Sequence, residues 1–449
     1  MGAALSGSSP AIAPTDVVRI TGGRPLKGEI TLRGAKNTVS KDMVAALLSA
    51  EPSTLTNISL IEDVEIMTGM LGALGAAVER DGHTLTINPK NLKLPPAQEL
   101  LPFGKKSRIP PLVCGPMLAR LGEAIIPMPG GCNIGLRPIN FHLQALKELG
   151  AQIEERDEHF YLKAKRLVGA KIHLDYPSVG ATEQVLLASV LAEGITELSN
   201  AAVEPEIIDL IAVLQKMGAI IAVNTDRVIT INGVEILHGY KHTAMPDRLE
   251  AASWACAAVA TNGRIFVRGA RQLDLMTFLN KLRQVGGEFA VTDEGIEFFR
   301  AAGELRSISL ETDVHPGFAT DYQQPFVVLL TQAKGSSVVH ETVYENRFGY
   351  IEALNQMGAQ IQLYPQCLGS KECRFAGLNH LHSATVTGPT PLHGAEITVP
   401  DLRAGFSYVI AALTAQGPST LNGYRTLYRG YENLTEKLVS LGADIREES

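Results

Sequence analysis

A glycine-centred motif recurs six times along the chain. Gly75, Gly150, Gly218, Gly286, Gly358 and Gly442 each follow a bulky apolar residue, in the contexts LGA, LGA, MGA, VGG, MGA and LGA. The interval is about 70 residues and lengthens toward the end of the chain. Each copy closes an amphipathic helix and opens a strand. In the first, Val64, Met67, Leu71 and Leu74 share one helical face, and Gly75 supplies the left-handed residue that stops a helix. The segment AAVERDGHTLTI then alternates around Asp81-Gly82, a hairpin pattern that IEERDEHFYL and FAVTDEGIEF repeat. A second helix in each unit runs through a small turn into a strand, as in MVAALLSAEPSTLTNI, EQVLLASVLAEGITELSN, EAASWACAAVATNGRIFV, QPFVVLLTQAKGSSVVHE and FSYVIAALTAQGPSTLNG. Such units bury their faces only against one another. With 449 residues, too many for one compact core, the expectation is an α/β protein of six helix-and-strand units, three in each of two domains.

Charge and cysteine usage narrow the class. A net charge of -7 opposes a nucleic-acid partner, which calls for a basic face. Five scattered cysteines form no disulfide framework and suit a reducing, cytoplasmic setting. No apolar run is long enough to span a bilayer, so no membrane partner is expected. The opening MGAALSGSSPAIAPTD has neither a basic start nor an apolar centre and reads as a flexible tail over residues 1–15, not a signal peptide.

Positive charge sits where a helix dipole disfavours it. Lys36, Arg137, Arg248 and Arg403 all fall at expected helix starts. A bound anion would turn four mismatches into favourable contacts, because helix N–H groups and cations would both point at it. The alternative is that each cation pairs with a neighbouring cap carboxylate, as Arg248 could with Asp247 and Arg403 with Asp401. In PMPGGCNIGLRP, Cys132 lies among glycines with Arg137 nearby. A close cation lowers a thiol's pKa, so Cys132 is either a proton donor or nucleophile, or an inert thiol in a turn. Asp321, in HPGFATDYQQPF, is either a helix N-cap or a base on a substrate hydroxyl. Cys114 and Cys256 lie in apolar helices and read as core. Cys367, Cys373, His380 and His382 suggest zinc ligands, but their spacing matches no standard finger or ribbon, and no metal is expected. No Walker loop, HExxH or dinucleotide fingerprint is present.

Nine segments together, RGAKN, PGGCNIGLRP, PSVGATE, EPEIID, MPDR, HPGFATD, ETVYENRF, DLRAG and RGYE, resemble in content and order the UDP-N-acetylglucosamine enolpyruvyl transferases. The resemblance covers nearly all of the chain after the tail. It implies a two-domain inside-out α/β barrel, with residues 1–34 joining 245–449 and residues 35–244 forming the second domain around the Cys132 loop. It implies phosphoenolpyruvate and UDP-N-acetylglucosamine as substrates and no cofactor. Lys36, Arg137, Arg403 and Arg429 look like the phosphoenolpyruvate-binding cations. Asn37 and Asp321 match positions at the sugar, with Asp321 near the attacking hydroxyl, and Arg347 matches a further binding position. Arg108, Pro138, Ile139, Asn140, Ser178, Val179, Gly180 and Val343 resemble the nucleotide-sugar pocket. Cys132 looks like the proton donor, a residue that in this family also reacts with fosfomycin. Three departures stand out: Asn140 where relatives commonly have Asp, Ile-Pro-Pro after Arg108, and a longer segment from Cys367 to Pro391.

Overall fold

The computed structural model describes residues 16–128, 139–370 and 372–448. Among the described residues the strands form six small sheets, five of four strands and one of three. All six repeat glycines have positive φ, from +89° at Gly442 to +104° at Gly218 and Gly286. Each therefore stops its helix in the left-handed conformation that L side chains avoid. The helix Glu62–Ala73 shows the pattern: Val64, Met67 and Leu71 are buried on one face, and the chain reverses at Gly75 into the hairpin Ala77–Asp81 and Thr84–Asn88. The hairpins Gln152–Arg156/His159–Lys163 and Gly287–Thr292/Gly295–Arg300 repeat it.

The second helices of the units are the innermost elements. Helices Arg248–Ala260, Thr320–Leu330 and Leu402–Thr414 pack on one another and are buried around almost their whole circumference. Because the sheets lie outside and these helices inside, the helices are apolar all round instead of striped. That explains runs such as AASWACAAVA, with Cys256 fully buried. In the first half the equivalents are Lys36–Ala45, Cys114–Leu121 and Val179–Ser189. Helix Cys114–Leu121 with strand Glu123–Pro127 is a sixth copy that the sequence pattern misses, because Gly122 at φ +75° turns helix into strand within one residue. The Pro110–Val113 turn of 3-10 helix precedes it, so Ile-Pro-Pro after Arg108 starts this helix differently.

The described residues form two separate apolar cores. One contains Val18, Ile20, Leu26, Ile30 and Leu32 with residues from Leu249 to Ile445; the other runs from Val39 to Ala244. The N-terminal strand Val17–Thr21 lies between Pro418–Asn422 and Asp444–Glu448, and Lys27–Thr31 pairs with Arg264–Arg268. The chain passes between cores at two adjacent places. Ala35 N–H donates to the Met245 carbonyl at 2.8 Å, and Gly34 bridges Pro246. Gly34 is required there, since a Cβ would lie 2.4 Å from the Asn57 carbonyl oxygen.

Candidate active site

The starts of the inner helices carry the charged groups. Lys36 is the first residue of its helix, and Arg403 is the second residue of its own. Neither cation pairs with a capping carboxylate. Asp401 caps by accepting from the Arg403 and Ala404 N–H groups, and Asp247 does so for Leu249 and Glu250. The cation side chains are left to reach further.

Two acid-centred clusters result. Asp63, 2% exposed, accepts from Lys36 Nζ at 2.6 Å and from Arg429 Nη2 at 3.1 Å. Burial raises the Asp63 pKa, but the two cations outweigh it and hold the carboxyl below its ordinary value. Asp321 accepts from Arg347 and, at 3.3 Å, from Arg403 Nε. Arg403 Nη1 also donates to the Tyr431 hydroxyl at 3.2 Å. Burial opposes the Arg403 charge, while Tyr431, Asp321 and Asp247 more than restore it. The clusters meet at Gly430, where a Cβ would come within 2.6 Å of Leu402 and 3.3 Å of the Lys36 side chain. The segment 429–432 thus serves both, and its Glu432 ties the halves by accepting from Leu60 N–H at 2.7 Å.

Two sequence alternatives are settled against. Asp321 is not an N-cap: Ala319 holds that position, and Asp321 sits in the first turn facing two guanidiniums. Arg248 does not belong with the anion-facing cations. Its guanidinium is buried against Glu206, with Nε to Oε1 at 2.9 Å and Nη2 to Oε2 at 3.1 Å, and also donates to Tyr322. The Glu206 charge draws it across the two halves of the chain, so it acts as a tie.

The remaining positions divide. Asn37 follows Lys36, and its carbonyl accepts from Lys41 Nζ at 2.9 Å. Ser178 caps the helix Val179–Ser189 through its Oγ, which accepts from Ala181 N–H at 3.3 Å. Gly180 lies against His142, whose Nε2 would be 2.9 Å from an added Cβ. This contact brings the Asn140–Glu148 helix, with Ile139 at its cap and Asn140 exposed in its first turn, beside the Ser178 loop. Arg108 is half-buried ahead of the 3-10 turn. Val343 N–H donates to Glu341 at 2.8 Å, and its carbonyl accepts from Arg374. Arg374 in turn lies 4.2 Å over the Tyr176 ring, two residues before Ser178. Val343 and the Ser178 loop are therefore joined through one side chain. Cys132, Arg137 and Pro138 lie outside the described residues. Sequence reasoning misses Asp63, Tyr431 and Arg374. Asp63 carries only the weak signal of an acid in a helix's first turn, because its partners are far away in sequence.

Residues 20–438 match the family described as EPSP synthase (3-phosphoshikimate 1-carboxyvinyltransferase). The chain belongs to this family of enolpyruvyl transferases. It is 50% identical over 438 residues to the UDP-N-acetylglucosamine 1-carboxyvinyltransferase of Protochlamydia amoebophila, spanning 96% of this chain and 94% of the relative. The protein of the same name from Chlamydia pneumoniae is 47% identical, again with 96% and 94% covered. Among solved structures, the enolpyruvyl transferase NikO from Streptomyces tendae superposes with a TM-score of 0.84 at 25% identity, covering 96% of this chain and 99% of that one. An EPSP synthase from Acinetobacter baumannii shares the fold, with a TM-score of 0.76 at 19% identity.

Proposed function

We propose that the chain transfers the enolpyruvyl group of phosphoenolpyruvate to the 3′-hydroxyl of UDP-N-acetylglucosamine, releasing phosphate, as the first committed cytoplasmic step of peptidoglycan synthesis. The observation that carries the reading is the pair of adjoining clusters in which Lys36 and Arg429 meet on Asp63, and Arg347 and Arg403 meet on Asp321. In a chain half identical to an enzyme of that name, these clustered cations suit a phosphate and a carboxylate on one small substrate.

In this reading Lys36, Arg403 and Arg429, with Arg137, bind phosphoenolpyruvate. Asn37, Arg347 and Asp321 meet the sugar, and Arg108, Pro138, Ile139, Asn140, Ser178, Val179, Gly180 and Val343 hold the nucleotide-sugar. The sugar hydroxyl oxygen bonds to C2 of phosphoenolpyruvate, its proton passes to Asp321, and C3 receives a proton from Cys132. The C2–O bond to phosphate then breaks as C3 loses a proton, which restores the double bond. The division into residues 1–34 with 245–449, and 35–244 carrying the Cys132 loop, is supported by the two separate cores. In this reading the substrates lie between the two parts, where domain closure excludes water.

Phosphate release from phosphoenolpyruvate tests the proposal, compared with no acceptor, UDP-N-acetylglucosamine and UMP. Release that depends on UDP-N-acetylglucosamine is expected. Release with UMP alone would keep the chemistry and overturn the acceptor.

A further inference from the structure

We propose that His340, Cys367, Cys373 and His382 form a zinc-binding site that fastens the 365–382 excursion to the protein. One ligand atom from each lies within 4.8 Å of all the others. Cys367 Sγ is 3.6 Å from Cys373 Sγ and 3.4 Å from His382 Nε2. A tetrahedral zinc ion with bonds of about 2.3 Å to sulfur and about 2.0–2.1 Å to nitrogen has edges of roughly 3.8 and 3.6 Å. The sulfurs are too far apart for a disulfide, whose bond is about 2.05 Å.

The surroundings aim the lone pairs inward. His382 Nδ1 is held by the His380 carbonyl at 2.7 Å, which leaves Nε2 to face the thiols. His340 Nδ1 lies 3.4 Å from Glu311 Oε2, and the His340 Nε2 atom is buried with no hydrogen-bond partner among the described residues. A fully buried nitrogen without a partner is costly, whereas both imidazoles have the outer-shell support that zinc-bound histidines receive. Backbone N–H groups point at sulfur, from Cys373 to Cys367 at 3.5 Å and from Phe375 to Cys373 at 3.4 Å. Gly369 closes the other side, where a Cβ would meet His340 and Glu311 at 2.0 and 2.1 Å.

His340 ends the strand Gly335–His340, whereas the other three ligands lie on or just after the excursion. The sequence pattern therefore shows only three of the four ligands and offers His380 in place of His340; His380 contributes a carbonyl instead. The described residues of 365–382 contain no helix or strand. A loop of that length needs a fastening, and zinc closes it by displacing the two thiol protons. Arg374, next to Cys373, joins Val343 to Tyr176. Resting on the substrate reading above, the metal thereby positions one wall of the nucleotide-sugar pocket.

The test uses the full chain, purified under reducing conditions from zinc-supplemented medium. One equivalent of zinc is expected by elemental analysis. Replacing it with Co2+ should give thiolate-to-metal charge-transfer absorption and tetrahedral d–d bands. Cys367→Ser and His340→Ala should each lose the metal, while Cys132→Ser keeps it. Zinc removal should raise KM for UDP-N-acetylglucosamine roughly tenfold, the scale of one charged hydrogen bond, with little change in KM for phosphoenolpyruvate. Wild-type protein with no bound zinc and no cobalt spectrum would overturn the proposal, even if the variants fail to fold. So would a Cys367–Cys373 disulfide found by mass in the reduced preparation. Zinc bound without any transferase activity would overturn the substrate reading and leave the metal site standing.

Discussion

Asp63→Asn keeps the shape of its side chain and removes one charge from beneath two cations. Asp63 is 2% exposed, while Lys36 and Arg429 are 18% and 21% exposed. Removing one partner of a fully buried ion pair costs about 3–5 kcal/mol. Water reaches both cations here, so the loss should fall nearer about 2 kcal/mol. Its pH dependence is the sharper mark. The Asp63 carboxyl is depressed below its ordinary value of 3.8 by Lys36 and Arg429 acting against burial. A depressed acid contributes stability that is complete above the unfolded pKa and is lost as pH falls through the folded one. Urea unfolding of wild type and variant should therefore show a constant gap from neutral pH down to about 5, narrowing below about 4. A gap under about 0.5 kcal/mol at neutral pH would refute the cluster, as would one unchanged on acidification.

Asp321→Asn should lower the maximal rate of phosphate release at least about a hundredfold, the usual worth of a positioned base. A loss under tenfold would remove Asp321 from proton transfer. Glu206→Gln leaves the buried Arg248 charge without its bidentate partner, so thermal unfolding should report a loss of about 3–5 kcal/mol; a change within 1 kcal/mol would show that the halves are not tied there. Burial pushes Glu183 up to about 7, against the pull of Lys41 and with help from Glu206 and Glu204. An acid raised in the folded state stabilises fully below its unfolded pKa and loses that contribution as pH rises through the folded value. Wild type should therefore weaken between pH 4.5 and 7 relative to Glu183→Gln in urea unfolding; parallel profiles would place that proton elsewhere.

Local features of this fold are legible in sequence because they depend on neighbours. The six glycines mark helix stops through their own backbone freedom, and Asp81-Gly82 marks a hairpin. The inner helices show as apolar runs because burial on all sides leaves no polar stripe. What stays hidden depends on contacts between distant segments. Nothing near Asp63 announces Arg429, nothing near Cys373 announces His340, and Arg248 looks like an anion-binding cation until Glu206 is beside it. The sixth helix-to-strand copy escapes because Gly122 compresses its turn.

Incubating the purified protein with phosphoenolpyruvate and UDP-N-acetylglucosamine in deuterated water, and analysing the nucleotide-sugar by mass spectrometry, reads enolpyruvyl transfer and C3 protonation at once. The product should carry one enolpyruvyl group with deuterium at C3, since that carbon becomes a methyl group in the intermediate before losing a proton. An unmodified nucleotide-sugar after phosphoenolpyruvate has been consumed would contradict the transfer, and an enolpyruvyl product free of deuterium would contradict protonation at C3.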